Sequence, residues 1–360
     1  MIGLVVNPIA GIGGRVGLKG SDGDAWRLAM KLGAEPVAPK RAVEFLKALA
    51  KRVEIATYPK LMGEFEAIEA GYRPYVVGEI GEETSAEDTK RACRELMGMV
   101  DLIVFVGGDG TARDVLDAVG TDCLVLGVPS GVKVYSSCFA MNPEYASKLV
   151  LDYLEGRGGV KEAEVLDIDE EAFRRDRLRV RLYGYLKIPY ELGLVQAGKE
   201  PSRSGRDVME NLKGIAKYLK ELMDDSVYVL GPGSTVKHVA EFLGIEKTLL
   251  GVDVVWRGRV LKKDANEEEI IEAIKGRKAK LVVTPIGGQG FIFGRGNQQI
   301  SPRVLRMIGK EGIIVIGTKE KMRKLKSLHV DTGDRELDEE LKGWMRVITD
   351  YREEEVFRVD

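Results

Sequence analysis

One stretch restricts this chain more than any other: residues 101–114, DLIVFVGGDGTARD. Residues 101–106 have strand character, and the apolar run Leu102-Ile103-Val104-Phe105-Val106 reads as a buried strand. It empties through Gly107, Gly108, Asp109, Gly110 and Thr111 into a helix-like segment over 112–119. A strand that runs through glycines into a helix N-terminus is the outline of a phosphate cradle, because backbone N–H groups and the helix dipole both face the anion. Glycines let that backbone approach closely, with no Cβ in the way. A carboxylate in the middle of such a loop would repel phosphate. Asp109 makes sense there if it holds a metal ion or accepts a proton from an attacking hydroxyl.

Other segments repeat the arrangement. Residues 2–6 form an apolar strand that stops at Asn7-Pro8 and opens into Gly11, Gly13 and Gly14, followed by Arg15. This is either a second anion loop at a strand's C-terminal end, where ligands gather in parallel sheets, or a surface turn. Residues 123–128 form a third apolar strand and lead into Ser130, Gly131 and Lys133, which line the same crevice or simply turn the chain toward the next helix. Between these strands lie helical patterns over 41–51 and 84–97, the latter opened by a capping-box pattern at Thr84-Ser85-Ala86-Glu87. Short strands are expected at 53–56 and 75–77. Strands alternating with helices over short connections predict a parallel, Rossmann-like α/β sheet for residues 1–155.

After Gly156-Arg157-Gly158-Gly159 the pattern alternates apolar and polar, notably over 178–185, which predicts antiparallel, half-exposed strands. A helix over 207–223 follows, then an apolar strand at 227–230 running into Gly231-Pro232-Gly233-Ser234-Thr235, either another phosphate loop or a turn with a serine or threonine cap. Strands at 249–255, 281–283, 313–316 and 345–348 and a helix over 266–274 complete a second, mixed α/β domain. Residues 284–299 are rich in Gly, Thr, Gln, Arg and Asn. These are poor core material and good ligand contacts, so Thr284, Gly287, Gln289, Arg295, Asn297 and Gln298 are candidate substrate-binding residues. The expected division is 1–155, a substrate-binding domain at 156–330, and a C-terminal segment at 331–360 packing back on the first domain.

Composition narrows the chemistry. With 55 Lys and Arg against 57 Asp and Glu, no general nucleic-acid surface is indicated. No apolar run is long enough for a membrane span, and the first residues read as a strand, not a leader, so a cytoplasmic location is expected. Three scattered cysteines read as free thiols. Two histidines exclude a histidine-rich metal site, and no protein ligand set for a metal is evident. Abundant charge with only five Asn and four Gln suits a thermophilic host.

The loop Gly107-Gly108-Asp109-Gly110-Thr111 after a buried strand resembles that of the NAD kinase superfamily, which also holds diacylglycerol and sphingosine kinases. Asn7-Pro8 with its glycines is typical of the same group. Residues 126–131 resemble a turn of the lipid-kinase branch, and Thr284-Pro285-x-Gly287 resembles the Thr-Pro-Thr-Gly that helps NAD kinases hold the dinucleotide. The match is most similar to an archaeal ATP-NAD kinase-like, or AcoX-like, group. The resemblance implies phosphoryl transfer from ATP, or polyphosphate, to the 2′-hydroxyl of NAD, with Mg2+. The alternatives are another small hydroxyl-bearing acceptor, or a nucleotide-binding sensor without turnover. It implies Asp109 as proton acceptor; Asn7, Gly11, Gly13, Gly14, Gly107, Gly108, Gly110 and Thr111 at the donor phosphates; and Ser130, Gly131, Lys133 and the 284–298 residues at the acceptor. A homo-oligomer is expected. The sequence departs from the family pattern at Gly288-Gln289-Gly290-Phe291, and it lacks an evident Asn-Glu acceptor pair.

Overall fold

The computed structural model describes residues 1–14, 16, 25–31, 33–50, 53–81, 83–130, 134–168, 180–190, 206–286 and 290–360. Gly131, Lys133, Gly287 and Gln289, named above as candidates, lie outside the described residues, as does Arg15. The chain divides into two compact units: residues 1–12, 20–169 and 179–198 in the first, and 13–19, 170–178 and 199–360 in the second.

In the first unit, β1 (Ile2–Val6) enters the centre of a five-stranded sheet, flanked by β2 (Ile55–Thr57) and β4 (Leu102–Gly107), with β3 (Tyr75–Val76) and β5 (Val125–Pro129) at the edges. All pairings are parallel, and Val6 pairs with Val106 while Gly107 pairs with Pro129, so β1, β4 and β5 end level with one another. Every residue of β1, β4 and β5 is buried, which is why these strands read as unbroken apolar runs. Helices α1 (Ala25–Lys31), α2 (Ala38–Ala48), α3 (Glu64–Glu69), α4 (Ala86–Met97), α5 (Asp109–Val119) and α6 (Pro143–Leu154) complete the α/β pattern. Phe45, Leu46, Ala92, Cys93 and Leu96 are among the helical residues that close over the sheet. The cap of α4 is a box between Ser85 and Asp88, one residue later than the expected Glu87.

A long antiparallel hairpin, β6 (Gly159–Ile168) and β7 (Val180–Tyr190), follows. Its inward residues Ala163, Val165, Leu186 and Ile188 bury in the same core as the parallel sheet. The hairpin therefore groups with the first unit, where a boundary at residue 155 was expected. Alternation told its structure correctly. Its membership is decided by which core those four side chains enter.

In the second unit, α7 (Arg206–Leu222) leads to a seven-stranded mixed sheet built from β8 (Val227–Leu230), β9 (Asp253–Trp256), β10 (Arg259–Lys262), β11 (Ala279–Val283), β13 (Ile313–Ile316), β15 (Gly343–Asp350) and β16 (Glu353–Val359), in the order β10-β9-β8-β11-β13-β15-β16. The four central strands run parallel, and an antiparallel hairpin closes each edge. Helices α8 (Ser234–Phe242), α9 (Glu267–Ile274), α10 (Pro302–Ile308), α11 (Lys319–Arg323) and α12 (Arg335–Leu341), with the short parallel pair β12 (Phe291–Phe293) and β14 (His329–Val330), complete it. Leu337, Leu341, Met345, Val347 and Val359 bury in this unit's core. Residues 331–360 thus belong to the second unit.

The loop between α8 and β9 is held by a fully buried ion pair, Lys247 Nζ to Asp253 Oδ2 at 3.0 Å, both side chains 0% exposed. Lys247 also donates to the carbonyls of Thr248 and Gly251, and Asp253 accepts from the N–H groups of Thr248 and Asp264. Each buried charge is therefore paired and hydrogen-bonded, the condition under which burial is tolerated.

Candidate active site

Three loops of the first unit meet at the level ends of β1, β4 and β5. Asn7, just past β1, donates from Nδ2 to Thr111 Oγ1 at 2.9 Å. Its own N–H donates to Val106 O, which seats the residue against β4. Ser130, just past β5, donates its N–H to Gly107 O at 3.0 Å. Gly11 has φ +82°, and a Cβ there would lie 2.2 Å from Ser130 O. Only glycine allows the first loop to close on the third in this way. A Cβ at Gly107 would lie 2.3 Å from Thr111 Oγ1, so that glycine lets the threonine of α5 fold back over the strand end. By contrast, a Cβ at Gly110 would meet nothing closer than 3.6 Å.

Asp109 is the first residue of α5, after Gly108 at the N-cap, and no side chain caps that helix. The first N–H groups of α5 consequently face the loop without an intramolecular acceptor, the usual condition for holding an anion. The Asp109 carboxylate does not point at them. It is buried, and Oδ1 accepts from the N–H of Tyr135 (3.1 Å), the N–H of Ser136 (2.8 Å) and Ser136 Oγ (2.5 Å). Among the described residues Oδ2 accepts only the Tyr135 N–H, at 2.9 Å, and keeps lone-pair capacity. Burial pushes this carboxyl above the ordinary aspartate range, while the Ser136 and Tyr135 hydrogen bonds and the Arg113 charge pull the other way. A buried carboxylate with a raised pKa is a competent proton acceptor near neutral pH.

Sequence reasoning missed the residues that hold Asp109. Ser136 donates to Asp109 and accepts from the N–H of Leu166 at 2.9 Å, so one hydroxyl links the carboxylate to β6. Arg113, one turn along α5, pairs with buried Asp167, which also takes Arg181 Nε at 2.6 Å. Asp109 and Ser136 are 27 positions apart. No local pattern marks such a contact. The one available signal was the pair Ser136-Ser137 among apolar neighbours. The Ser130 hydroxyl is buried without a hydrogen-bond partner among the described residues, an unmet polar group at the lip of the same crevice.

The remaining described candidates fall in the second unit. Gly13 and Gly14 belong there, and a Cβ on Gly14 would lie 3.2 Å from the Gln298 side chain. Thr284, buried, accepts from Lys321 Nζ at 3.1 Å. Asn297 closes its own loop, with Oδ1 accepting the Gly294 N–H and Nδ2 donating to Ile292 O. Arg295 is 2% exposed, pairs with Asp331 at 3.0 Å and lies over the Phe291 ring. The amide of Asn297 thus braces the loop, whereas Gln298 Nε2 is buried without a hydrogen-bond partner among the described residues. Among the described residues no group of three His, Cys, Asp or Glu is placed to hold a metal. No helix among them is long and apolar enough to cross a membrane.

Open helix amides at the C-terminal ends of parallel strands, beside a buried carboxylate, define an α/β protein built to handle a phosphate group. The ATP-NAD kinase N-terminal domain matches residues 2–157 and the ATP-NAD kinase C-terminal domain matches residues 223–359. Two domains of one family, in order, account for most of the chain, which belongs to the NAD kinase superfamily. Two solved structures of a candidate diacylglycerol kinase from Bacillus anthracis str. Sterne also match, each at 19% identity over 47% of this chain, with TM-scores of 0.27 and 0.23. The match spans 45% of each of those chains, less than half their length, and adds nothing to the family assignment. No curated protein sequence matches the chain.

Proposed function

We propose that this kinase transfers a phosphoryl group from ATP, or from polyphosphate, to the 2′-hydroxyl of the adenosine ribose of NAD. The observation that carries the reading is Asp109: a buried carboxylate with one under-used oxygen, at the first turn of a helix whose N–H groups face the phosphate loop. The attacking hydroxyl oxygen bonds to the γ-phosphorus, the bond to the leaving ADP oxygen breaks, and the hydroxyl proton passes to Asp109 Oδ2. The amides after Gly108 and the Thr111 hydroxyl hold the phosphates, and Asn7 fixes Thr111 from the side. Ser130 supplies a free hydroxyl beside them. With no three-residue acidic cluster among the described residues, a magnesium ion would arrive on the donor phosphates, as this hard cation usually does, and would supply charge neutralisation.

Incubation of the purified chain with ATP, Mg2+ and NAD, followed by assay for NADP, tests this. Asp109→Asn, verified as folded, should lower turnover by about two to four orders of magnitude with substrate binding little changed. Wild-type turnover in that variant removes Asp109 from the chemistry. ATP consumption with another hydroxyl compound and none with NAD would keep the kinase and change the acceptor.

A further inference from the structure

Arg113, one turn along α5, has no part in the reaction proposed above, yet its charge stands beside the phosphate loop. It follows Asp109 by four residues and Gly110 by three, the spacings that bring side chains together on one face of a helix. Helical side chains lean back over the turn that precedes them, so an arginine at this position covers the N-terminal turn of α5. The geometry agrees. Beyond its chain neighbours and the backbone of its own helix, a Cβ at Gly110 would have one described atom within 4 Å, Arg113 Nη2 at 3.6 Å. The guanidinium therefore borders the space over Gly110, and no other described group fills that space.

The way Arg113 is held leaves half of it free. Nη1 donates to Asp167 Oδ1, while Asp167 Oδ2 takes Arg181 Nε at 2.6 Å. A guanidinium kept only to pair with a carboxylate gains most by using both arms of its fork. Here Arg181 has the second oxygen, and among the described residues Arg113 Nη2 and Nε make no hydrogen bond. The side chain is 30% exposed, so these donors are open to a ligand. Its anchor is firm: Asp167 lies on β6 with its side chain 9% exposed. The adjacent Leu166 donates its N–H to Ser136 Oγ, the hydroxyl that binds Asp109. Neighbouring residues of one strand thus fix both the carboxylate and the guanidinium. Arg113 is also one of the groups that oppose the upward shift of Asp109.

We infer that Arg113 is a phosphate contact of the first unit: Nη2 donates to an oxygen of the donor phosphate seated at the first turn of α5, while Asp167 holds Nη1 and fixes the fork. The open helix amides and the guanidinium then share one anion. Arg113 stays protonated throughout. The proton of the attacking hydroxyl still passes to Asp109, and the guanidinium stabilises the negative charge of the group in transfer. The inference rests on the phosphate site proposed at α5, not on NAD as the acceptor.

Calorimetric titration of the full chain with inorganic tripolyphosphate and with ATP, each with Mg2+, tests the contact without turnover. Arg113→Met should weaken both probes at least about tenfold, the loss of one charge-assisted hydrogen bond, and should lower kcat about a hundredfold. Arg181 still pairs with Asp167 in that variant, so no buried charge is stranded, and the wild-type circular dichroism should be kept. Arg113→Lys retains a charge beside Asp167 and is the milder change. Its single ammonium cannot reproduce the fork that serves Asp167 and a phosphate together, so a loss of about three- to tenfold is expected. Affinities for tripolyphosphate and ATP within about twofold of wild type in Arg113→Met, or in Arg113→Lys should the first fail to fold, would overturn the contact. A wild-type chain that binds neither probe would overturn it together with the phosphate site. Affinity losses as expected with no NADP made from NAD would support the contact and remove only the acceptor.

Discussion

The Lys247–Asp253 pair allows a prediction with a definite magnitude. Both side chains are fully buried, the charged atoms are 3.0 Å apart, and each has further hydrogen bonds to backbone. Removing one partner leaves the other as an uncompensated buried charge, a loss of about 3–5 kcal/mol. For a unit of this size that is a fall in melting temperature of roughly 6–20 °C. Lys247→Met and Asp253→Asn should each show it, by calorimetry and by urea unfolding. The double variant retains an oxygen to accept from Thr248 and Asp264 but no longer buries a charge. It should recover at least about 2 kcal/mol relative to the sum of the singles. The pH dependence has a fixed sign. Burial opposes ionisation of Asp253, but the Lys247 charge and the Asp264, Lys247 and Thr248 hydrogen bonds outweigh it and hold the pKa below the ordinary range. The stabilisation is therefore complete above the unfolded-state pKa of about 3.9 and is lost as pH falls through the lower folded value. Single variants that cost less than about 1 kcal/mol, or a strictly additive double, would refute the reasoning.

Further outcomes follow from the first unit. Ser136→Ala removes a hydrogen bond that favours ionised Asp109, so the acid limb of the pH–rate profile should move to higher pH, and an unmoved limb would exclude Asp109 as the titrating base. Gly107→Ala places a methyl 2.3 Å from Thr111 Oγ1 and must displace that threonine. Steady-state kinetics should show kcat/KM lower by about 10- to 100-fold, and near-normal kinetics would mean that the loop tolerates the shift. Burial pushes Glu66 from 4.5 up to about 7. The folded state therefore keeps a proton that the unfolded chain has lost, and stability should fall by about 3 kcal/mol as pH rises from 4.5 through 7. Glu66→Gln should flatten that slope in urea titrations, and an unchanged slope would place its origin elsewhere.

Periodicity alone made β1, β4, β5, β8, β11 and β13 legible, because each is short, apolar and followed by a glycine or proline stop. It could not reveal β16, whose EEEVFRV reads as an acidic tail. Phe357 and Val359 face the core of the second unit, while Glu353 and Glu354 are exposed and Glu355 is half-buried on the inward face, so an edge strand hides behind its charge. The glycine-aspartate loop was legible as a site for the same reason as the strands: its chemistry is contiguous. The partners that orient Asp109 were not, since Tyr135, Ser136 and Leu166 are assembled by tertiary contacts. Residues 284–299 are harder to read. Asn297, whose side chain looks fit for a ligand, has both ends of its amide engaged in closing the loop. A glycine-rich loop folded over itself needs internal hydrogen bonds as much as a ligand does.

The sheet margins bear on how copies of this chain can meet. In the first sheet β3 is two residues long, and β5 is covered where Gly127 N–H donates to Cys138 O and Gly127 O accepts from Ala140 N–H. In the second, β10 presents Arg259 and Lys262, and the outer side of β16 is occupied where Arg358 O accepts from Leu328 N–H. Neither sheet leaves a long, bare row of backbone groups for a neighbour to extend. At these two sheets, association of identical copies would therefore use side-chain surfaces, which are specific to sequence, instead of strand addition, which is not. That distinction separates a defined oligomer from runaway fibrillar growth.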